Sequence, residues 1–258
     1  MIGRRSLTVT LVVVLATSAL AASARGASPG GAAPGVLTLP DGSPLTVRLG
    51  NPLVRASGGG IALAVRATAL LRGRLRIAGT APPGSGAVWI ERRDEDAGWV
   101  VLAHASVGAD GRFATAWSPD RVGPLQLRAV TSAPAAGSAL EDPALDATAP
   151  QLGVTVYRPG IASWYGPTSS ESTTACGIPL ERWTLGVAHR TLPCGTPVAF
   201  YYKGRTLVVP VIDRGPFMRG RTWDLTQATH EALGGDDGLI RVGALPLAPA
   251  AASARGHR

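Results

Sequence analysis

The residues best suited to chemistry are two acids, Asp213 and Asp224, in the stretch "VPVIDRGPFMRGRTWDLT" at 209–226. The β-branched residues before Asp213 predict a buried strand, so its carboxyl group emerges where that strand leaves the core. Gly215 and Pro216 then predict a turn that holds the carboxyl group on a rigid element. Two carboxyl groups whose pKa values differ suit acid–base work on a glycosidic bond.

Each acid also has features that leave its role open. Asp224 lies just before a predicted helix, where a negative charge stabilises the helix N-terminus, so a structural role is an alternative. Asp213 precedes Arg214, and partial burial raises the pKa of a carboxyl group while a neighbouring arginine lowers it. The sequence does not decide which effect is larger.

Short strands and one helix are predicted around these acids, in a domain spanning 158–247. The helix is "QATHEAL", which Thr226 can cap and Gly234 can end. The strands are "GIASWYG", "TLGVAH", "PVAFYYKG", "GRTLVVPVID" and "LIRVGAL". A mostly β domain of this size with one short helix is typical of a small barrel.

The segment 36–157 shows only strand patterns separated by turn residues. They are "LRGRLRI" (71–77), "AVWIERR", "GWVVLAHASV", "GADGRFATAW", "GPLQLRAV" and "LGVTVY". This spacing without a helical period predicts an immunoglobulin-like β-sandwich. The first strand alternates between an apolar and a basic face, with Leu71, Leu75 and Ile77 against Arg72, Arg74 and Arg76. The basic face is either simply solvated or a contact for anionic wall polymers.

The two ends of the chain predict export and disorder. Arg4 and Arg5, the apolar run at 7–22 and the small residues "ASA" are typical of a signal peptide at 1–24. The apolar run is shorter than the roughly 20 residues that span a bilayer, so we expect cleavage and no membrane span in the mature protein. Residues 25–35 predict a flexible linker and residues 248–258 a disordered tail.

Export affects the interpretation of the two cysteines, Cys176 and Cys194. In an oxidising compartment such a pair predicts a disulfide, and two buried free thiols are the alternative. Two Cys and four scattered His show no ligand spacing, so no metal site is predicted.

The chain is basic, with a formal net charge of +8 and a pI of about 10.6. Nearly all of this charge is arginine, since Lys203 is the one lysine. For an exported chain, the charge points to anionic envelope polymers as partners and not to nucleic acid.

The C-terminal motifs "ASWYG", "TACG", "LGVAHRTLPCGTPV", "VVPVIDRGPF" and "GRTWDLT" occur in an order that resembles one known family. This is the rare lipoprotein A (RlpA) family of double-psi β-barrels, related to expansins and barwin-like domains. The resemblance covers about residues 158–245 and implies a six-stranded barrel that acts on peptidoglycan glycan strands without a cofactor. We expect a monomer that is secreted or associated with the cell wall.

Some members of this family are lytic transglycosylases, which cleave the MurNAc–GlcNAc bond and leave a 1,6-anhydro end. The resemblance implies that Asp213 is the catalytic acid and His189 its companion in the site. Asp224 corresponds to an acid of the related expansins. A non-catalytic, expansin-like module that binds or loosens the wall is the alternative function.

The resemblance also implies substrate contacts. Trp164, Tyr165 and Phe217 would offer flat faces to sugar rings or else belong to the core, and Thr174 and Arg214 would bind substrate. Ile178 departs from the pattern, because many members carry an acid at this position. The departure favours the non-catalytic alternative.

Overall fold

The computed structural model describes residues 38–131, 148–168 and 172–248, which lie in one compact unit. The predicted signal peptide, the linker and the tail from residue 249 onward lie outside the described residues. No helix in the described ranges is long and apolar enough to cross a membrane.

The described part of the chain is mainly β, as predicted. The strands before residue 150 are β1 Arg48–Leu49, β2 Leu53–Gly58, β3 Ile61–Arg66, β4 Thr68–Leu70, β5 Leu75–Thr80, β6 Ala87–Asp94, β7 Gly98–Ser106, β8 Arg112–Trp117 and β9 Gly123–Val130. The later elements are β10 Gln151–Tyr165, β11 Val187–Ala188, β12 Pro197–Tyr202, β13 Arg205–Asp213, β14 Trp223–Thr226, the helix α1 Gln227–Leu233 and β15 Ile240–Pro246.

Two sheets form the N-terminal part. One has the order β2-β3-β5-β8, and the other runs β7-β6-β9-β10 with β4 beside the first half of β10. Alternate residues of both sheets, such as Leu63, Ile77, Ile90 and Leu127, share one buried apolar cluster. The mainly β character is confirmed, while the immunoglobulin-like type stays a prediction.

One predicted strand begins later than expected. The alternation at 71–77 places Leu71 and Arg72 in a strand, but β5 starts at Leu75. Arg72 has a φ of 60°, and its N–H donates to the carbonyl oxygen of Pro119. The alternating pattern therefore extends across a turn, because a left-handed residue cannot continue a strand.

The C-terminal part is a closed barrel of six strands, which confirms this prediction. The second half of β10 pairs in parallel with β14 and antiparallel with β15, and β11, β13 and β12 complete the ring. Its core includes Phe200, Val209, Val211 and Leu225. The predicted helix is also confirmed: Thr226 accepts from the Thr229 N–H, and Gly234 ends α1 with a φ of 69°.

The two parts are joined by a continuous strand. The boundary predicted between residues 157 and 158 falls inside β10, which pairs with β9 over 151–156 and with β15 over 158–162. Residues 38–49, predicted as part of the sandwich, instead pack on the barrel: β1 pairs with β13, and Leu39, Leu45 and Val47 contact the barrel core.

Candidate active site

A β-bulge positions Asp213. Val187 pairs with Val211, but the next residue, Ala188, pairs with Asp213, so Ile212 is the extra residue of β13. Strict alternation from the core residue Val211 would point Asp213 into the barrel. The bulge instead directs its side chain to the outer side of the sheet.

The Ile212 side chain fits at the bulge because position 186 is glycine. A side-chain methyl at Gly186 would overlap Cδ1 and Cγ1 of Ile212, which is 2% exposed. Gly186 thus accommodates the bulge that turns Asp213 outward.

Four residues form a row across neighbouring strands: Asp213 on β13, Ala188 on β11, Asp224 on β14 and Ser163 on β10. Residues paired in this way project to the same side of a sheet. Two strand spacings separate the Cα atoms of the two acids by roughly 10 Å. Between them lies only the small side chain of Ala188, so the sequence-predicted acids come together on one face.

The main chain holds the Asp213 carboxyl group in place. Its Oδ1 accepts from the N–H groups of Ala175 and Arg214, each at 2.8 Å. Ala175 precedes Cys176, which forms the predicted disulfide with Cys194. The disulfide is confirmed, and it ties the loop that anchors Asp213 to the loop after His189.

Buried polar atoms without hydrogen-bond partners concentrate at this row. Among the described residues there are five such side-chain atoms, and three of them are Ser163 Oγ, Tyr165 Oη and Asp224 Oδ1. Buried polar groups normally have partners, so a cluster of unpaired ones marks a place where a polar ligand can bind. Sequence reasoning missed Ser163, whose only signal is its position two residues before Tyr165 on the same strand face.

The environment of the row favours the protonated forms of two of its groups. Burial raises the pKa of Asp224, and the charge of Asp213 adds to this, while Ser163 and Arg221 partly oppose it. Ser163 lowers the pKa of Asp224 as a nearby polar group, because its Oγ is not placed to form a full hydrogen bond. Burial, followed by the charges of Asp213 and Asp224, also raises the pKa of Tyr165 far above its usual value, so Tyr165 remains a phenol.

His189 joins the site through its backbone and is a neutral ring. Its N–H donates to the carbonyl oxygen of Asp213 at 3.1 Å. Its Nδ1 accepts from the N–H groups of Leu192 (3.0 Å) and Thr191 (3.3 Å), which requires Nδ1 to lack a proton. Burial, with the charges of Arg190 and Arg214, lowers the pKa of His189. Its proton therefore sits on Nε2 at neutral pH.

Two arginines fix the loops around the acids. The guanidinium group of Arg214 donates to the Leu192 carbonyl oxygen at 2.9 Å and lies 3.4 Å from Cys194 Sγ. Arg190, which sequence reasoning did not select, donates to the carbonyl oxygens of Pro216 (2.6 Å) and Arg221 (3.0 Å). Arg190 thereby holds the loop that follows Asp213.

Thr174 and Ile178 organise the neighbouring turn. The Thr174 side chain is buried, and its Oγ1 accepts from the Ile178 N–H at 3.1 Å. Ile178 lines an apolar cavity of about 580 Å³ together with Leu39, Val208 and Pro210.

The predicted aromatic residues occupy different places. Tyr165 lies on the same side of β10 as Ser163, whereas Trp164 projects to the opposite side and stacks on His230 with ring centroids 5.5 Å apart. Phe217 is 80% exposed in the loop after Asp213. Trp183, which was not predicted, is 65% exposed in the segment before β11.

Across the described ranges, no three His, Cys, Asp or Glu side chains come together as a metal site requires. Asp213 and Asp224 are the two acids of the row, and a pair of carboxyl groups supplies fewer protein ligands than metal sites such as those of zinc use.

The segment that forms the barrel is similar to known proteins. Residues 158–244 match the family model described as "Lytic transglycolase". This match, together with the relatives, confirms the predicted resemblance to RlpA proteins for the C-terminal region.

The chain is 42% identical over 93 residues to the "Probable endolytic peptidoglycan transglycosylase RlpA" of Aquifex aeolicus, covering 35% of this chain and 39% of that protein. It is 46% identical over 77 residues to the protein of the same name from Synechocystis sp., covering 29% and 24%. It is 41% identical over 70 residues to the "Endolytic peptidoglycan transglycosylase RlpA" of Campylobacter jejuni, covering 26% of each. The chain thus matches about two fifths or less of the length of these relatives.

Among solved structures, the Streptomyces papain inhibitor (SPI) is 27% identical, covering 33% of this chain and 91% of that chain. The TM-score of this comparison is 0.27.

Proposed function

We propose that the barrel is a peptidoglycan lytic transglycosylase, which cleaves the MurNAc–GlcNAc bond and leaves a 1,6-anhydro end. The observation that carries the proposal is the row of Asp213, Ala188, Asp224 and Ser163, with its unpaired buried oxygens. The row lies within the segment that is similar to proteins named as endolytic peptidoglycan transglycosylases. That naming disfavours a purely wall-loosening module.

The reaction needs one group that both gives and takes a proton. In the proposed reaction, Asp213 takes up a proton before cleavage and then donates it to the glycosidic oxygen as the bond from that oxygen to C1 of MurNAc breaks. The C6 hydroxyl oxygen of the same sugar then bonds to C1, and its proton passes to the Asp213 carboxylate. No water is consumed, and Asp213 ends in its starting form. The anchoring of Oδ1 by two main-chain N–H groups keeps the carboxyl group in position for both transfers.

The other groups of the row bind and orient the sugar. Burial raises the pKa of Asp224, so its protonated form, which can donate a hydrogen bond to substrate beside Asp213, extends to a higher pH than that of an ordinary aspartate. The Tyr165 phenol offers a second donor. His189 is the neutral companion of Asp213, and exposed Phe217 offers a flat face to a sugar ring. Substrate contacts by Trp164, Thr174 and Arg214 would compete with the contacts that these residues already make within the protein.

The remaining parts of the proposal concern the whole chain. We expect cleavage of residues 1–24, export to the cell wall or medium, and a monomer. We also expect the strands β2 to β9, with the first half of β10, to form an immunoglobulin-like sandwich ahead of the barrel.

Digestion of purified sacculi tests the function. The mature protein should release anhydro-muropeptides that mass spectrometry detects, and Asp213→Asn should release none. Asp237→Asn is the matched control, because Asp237 is exposed and lies outside the row. Sacculus binding without anhydro-products from the wild type would replace the enzyme with the expansin-like alternative.

A further inference from the structure

The outer side of the sheet β2-β3-β5-β8 carries one arginine on each strand. They are Arg55, Arg66, Arg76 and Arg112, and all four are exposed. Their neighbours Leu63, Val65, Ile77 and Phe113 point the other way, into the buried cluster. We call this outer surface the arginine face. Of the basic stripe predicted at 71–77, only Arg76 lies on a strand of this face.

The floor between these arginines is made of small side chains. Ala64 pairs with Arg55 on one side and Ala78 on the other, and Ala78 pairs with Ala114. Two shallow depressions lie on this floor, of about 460 Å³ beside Arg55 and about 560 Å³ between Arg76 and Arg112. Because these side chains are small, the surface between the arginines is shallow, and an extended ligand can lie flat on it.

Two of the arginines are neighbours of like charge. Val65 pairs with Ile77 at the end of the β3–β5 ladder, and Arg66 and Arg76 come directly after this pair on the two strands. Like charges directly opposite each other destabilise a sheet unless an anion lies between them. Arg66 donates to the Asn51 carbonyl oxygen, and Arg112 lies 3.5 Å from Asp110. In the described ranges no acid is paired with Arg55, Arg66 or Arg76.

We propose that the arginine face binds an anionic linear polymer of the cell wall built from phosphodiester-linked polyols. A guanidinium group binds two phosphate oxygens through two parallel N–H bonds. This face presents four guanidinium groups, and they do not converge on one pocket. Across the strands they span three strand spacings, roughly 14 Å, and they also lie at different heights along the strands, so they fit a repeating anion better than a single one.

The same face fits other anionic partners less well. It carries no aromatic side chain on which nucleic-acid bases could stack. It also lacks a broad apolar surface to enter a lipid bilayer, with Leu53 as its one exposed large apolar residue. The proposal is independent of the catalytic row and would let the N-terminal part hold the barrel close to the wall.

Fluorescence anisotropy with end-labelled poly(glycerol phosphate) and the mature chain tests the proposal. We expect the Arg66→Gln/Arg76→Gln variant to raise the Kd by at least about tenfold and to reduce its dependence on salt. Arg158→Gln/Arg241→Gln removes the same charge from exposed barrel positions and should change the Kd less than about twofold.

Two further variants keep the test informative if the first folds poorly. Arg66→Lys/Arg76→Lys keeps the charge but removes paired N–H donation, and should bind with intermediate affinity. Ala78→Glu places a carboxylate on the floor and should weaken binding without removing an arginine. Equal losses in the barrel control, or no binding by the wild type, would overturn the proposal. So would equally tight, equally arginine-dependent binding to phosphatidylglycerol vesicles or duplex DNA.

Discussion

At the residue scale, we expect asparagine to replace part of the function of Asp224 but not the proton transfer by Asp213. Asp213→Asn keeps an oxygen that accepts the Ala175 N–H but cannot exchange a proton, so the protein should fold and cleavage should be abolished. Asp224→Asn can still donate a hydrogen bond, so we expect a partial loss of rate. Release of anhydro-muropeptides, together with thermal unfolding of each variant, measures both effects. Unfolding of Asp213→Asn under native conditions would make this acid structural and end its catalytic assignment.

The raised pKa of Asp224 predicts a pH dependence of stability. Folding favours the protonated form, so the contribution of Asp224 is present below its unfolded pKa of about 3.8 and is lost as pH rises through the higher folded value. The Tm of Asp224→Asn minus that of the wild type should therefore become more positive from about pH 4 to about pH 7. Asp237→Asn, at an exposed position, provides the control. A Tm difference that stays constant or becomes more negative would contradict the assignment.

At the element scale, the bulge in β13 depends on Gly186. Gly186→Ala would force its methyl group against Ile212, so we expect a loss of about 1–3 kcal/mol in the free energy of unfolding. The misplacement of Asp213 should also reduce cleavage by more than the folded fraction falls. Chemical denaturation and the cleavage assay, normalised to folded protein, separate the two effects. Gly153→Ala is a control, since a methyl group there meets no atom within 4 Å.

The disulfide joins two loops beside the same bulge, where the Cys176 N–H donates to the Ile212 carbonyl oxygen. Replacing Cys176 and Cys194 by serine removes a cross-link between residues 18 apart, which should cost about 2–4 kcal/mol of stability. The loop that carries Ala175 would also gain freedom, so cleavage should fall under conditions where the variant is still folded. Mass mapping of non-reduced peptides first verifies the link, and two free thiols in the mature protein would contradict it.

At the scale of the whole molecule, the boundary predicted between residues 157 and 158 cuts β10 and separates the barrel from a strand that pairs with it. A chain beginning at residue 158 loses β1, which pairs with β13, and the contacts of Leu39, Leu45 and Val47 with the barrel core. It also cuts β10 in the middle. We expect a lower Tm than that of a chain beginning at residue 36, and weaker protection of β13 amides in hydrogen exchange. An equal Tm for both chains would show that the segment 38–49 does not stabilise the barrel.

Several features were determined by the sequence alone, because they depend on local patterns. The helix was predicted from its capping residues Thr226 and Gly234, and most strands from alternation between turns. The disulfide was predicted from export and from the presence of only two cysteines. The family of the barrel was predicted from motif order, since "AHRTLP" and "DRGPF" are short and specific.

Other features were decided only by the tertiary structure, because they depend on residues distant in sequence. Ser163 became part of the site through its pairing with Asp224, and Asp213 turned outward through a bulge accommodated by Gly186. Trp164 went to the opposite side of β10 from Tyr165 because adjacent strand residues alternate, and its stacking on His230 required the helix to be in place. Burial, and with it the raised pKa of Asp224, exists only once β10, β11 and β14 have come together.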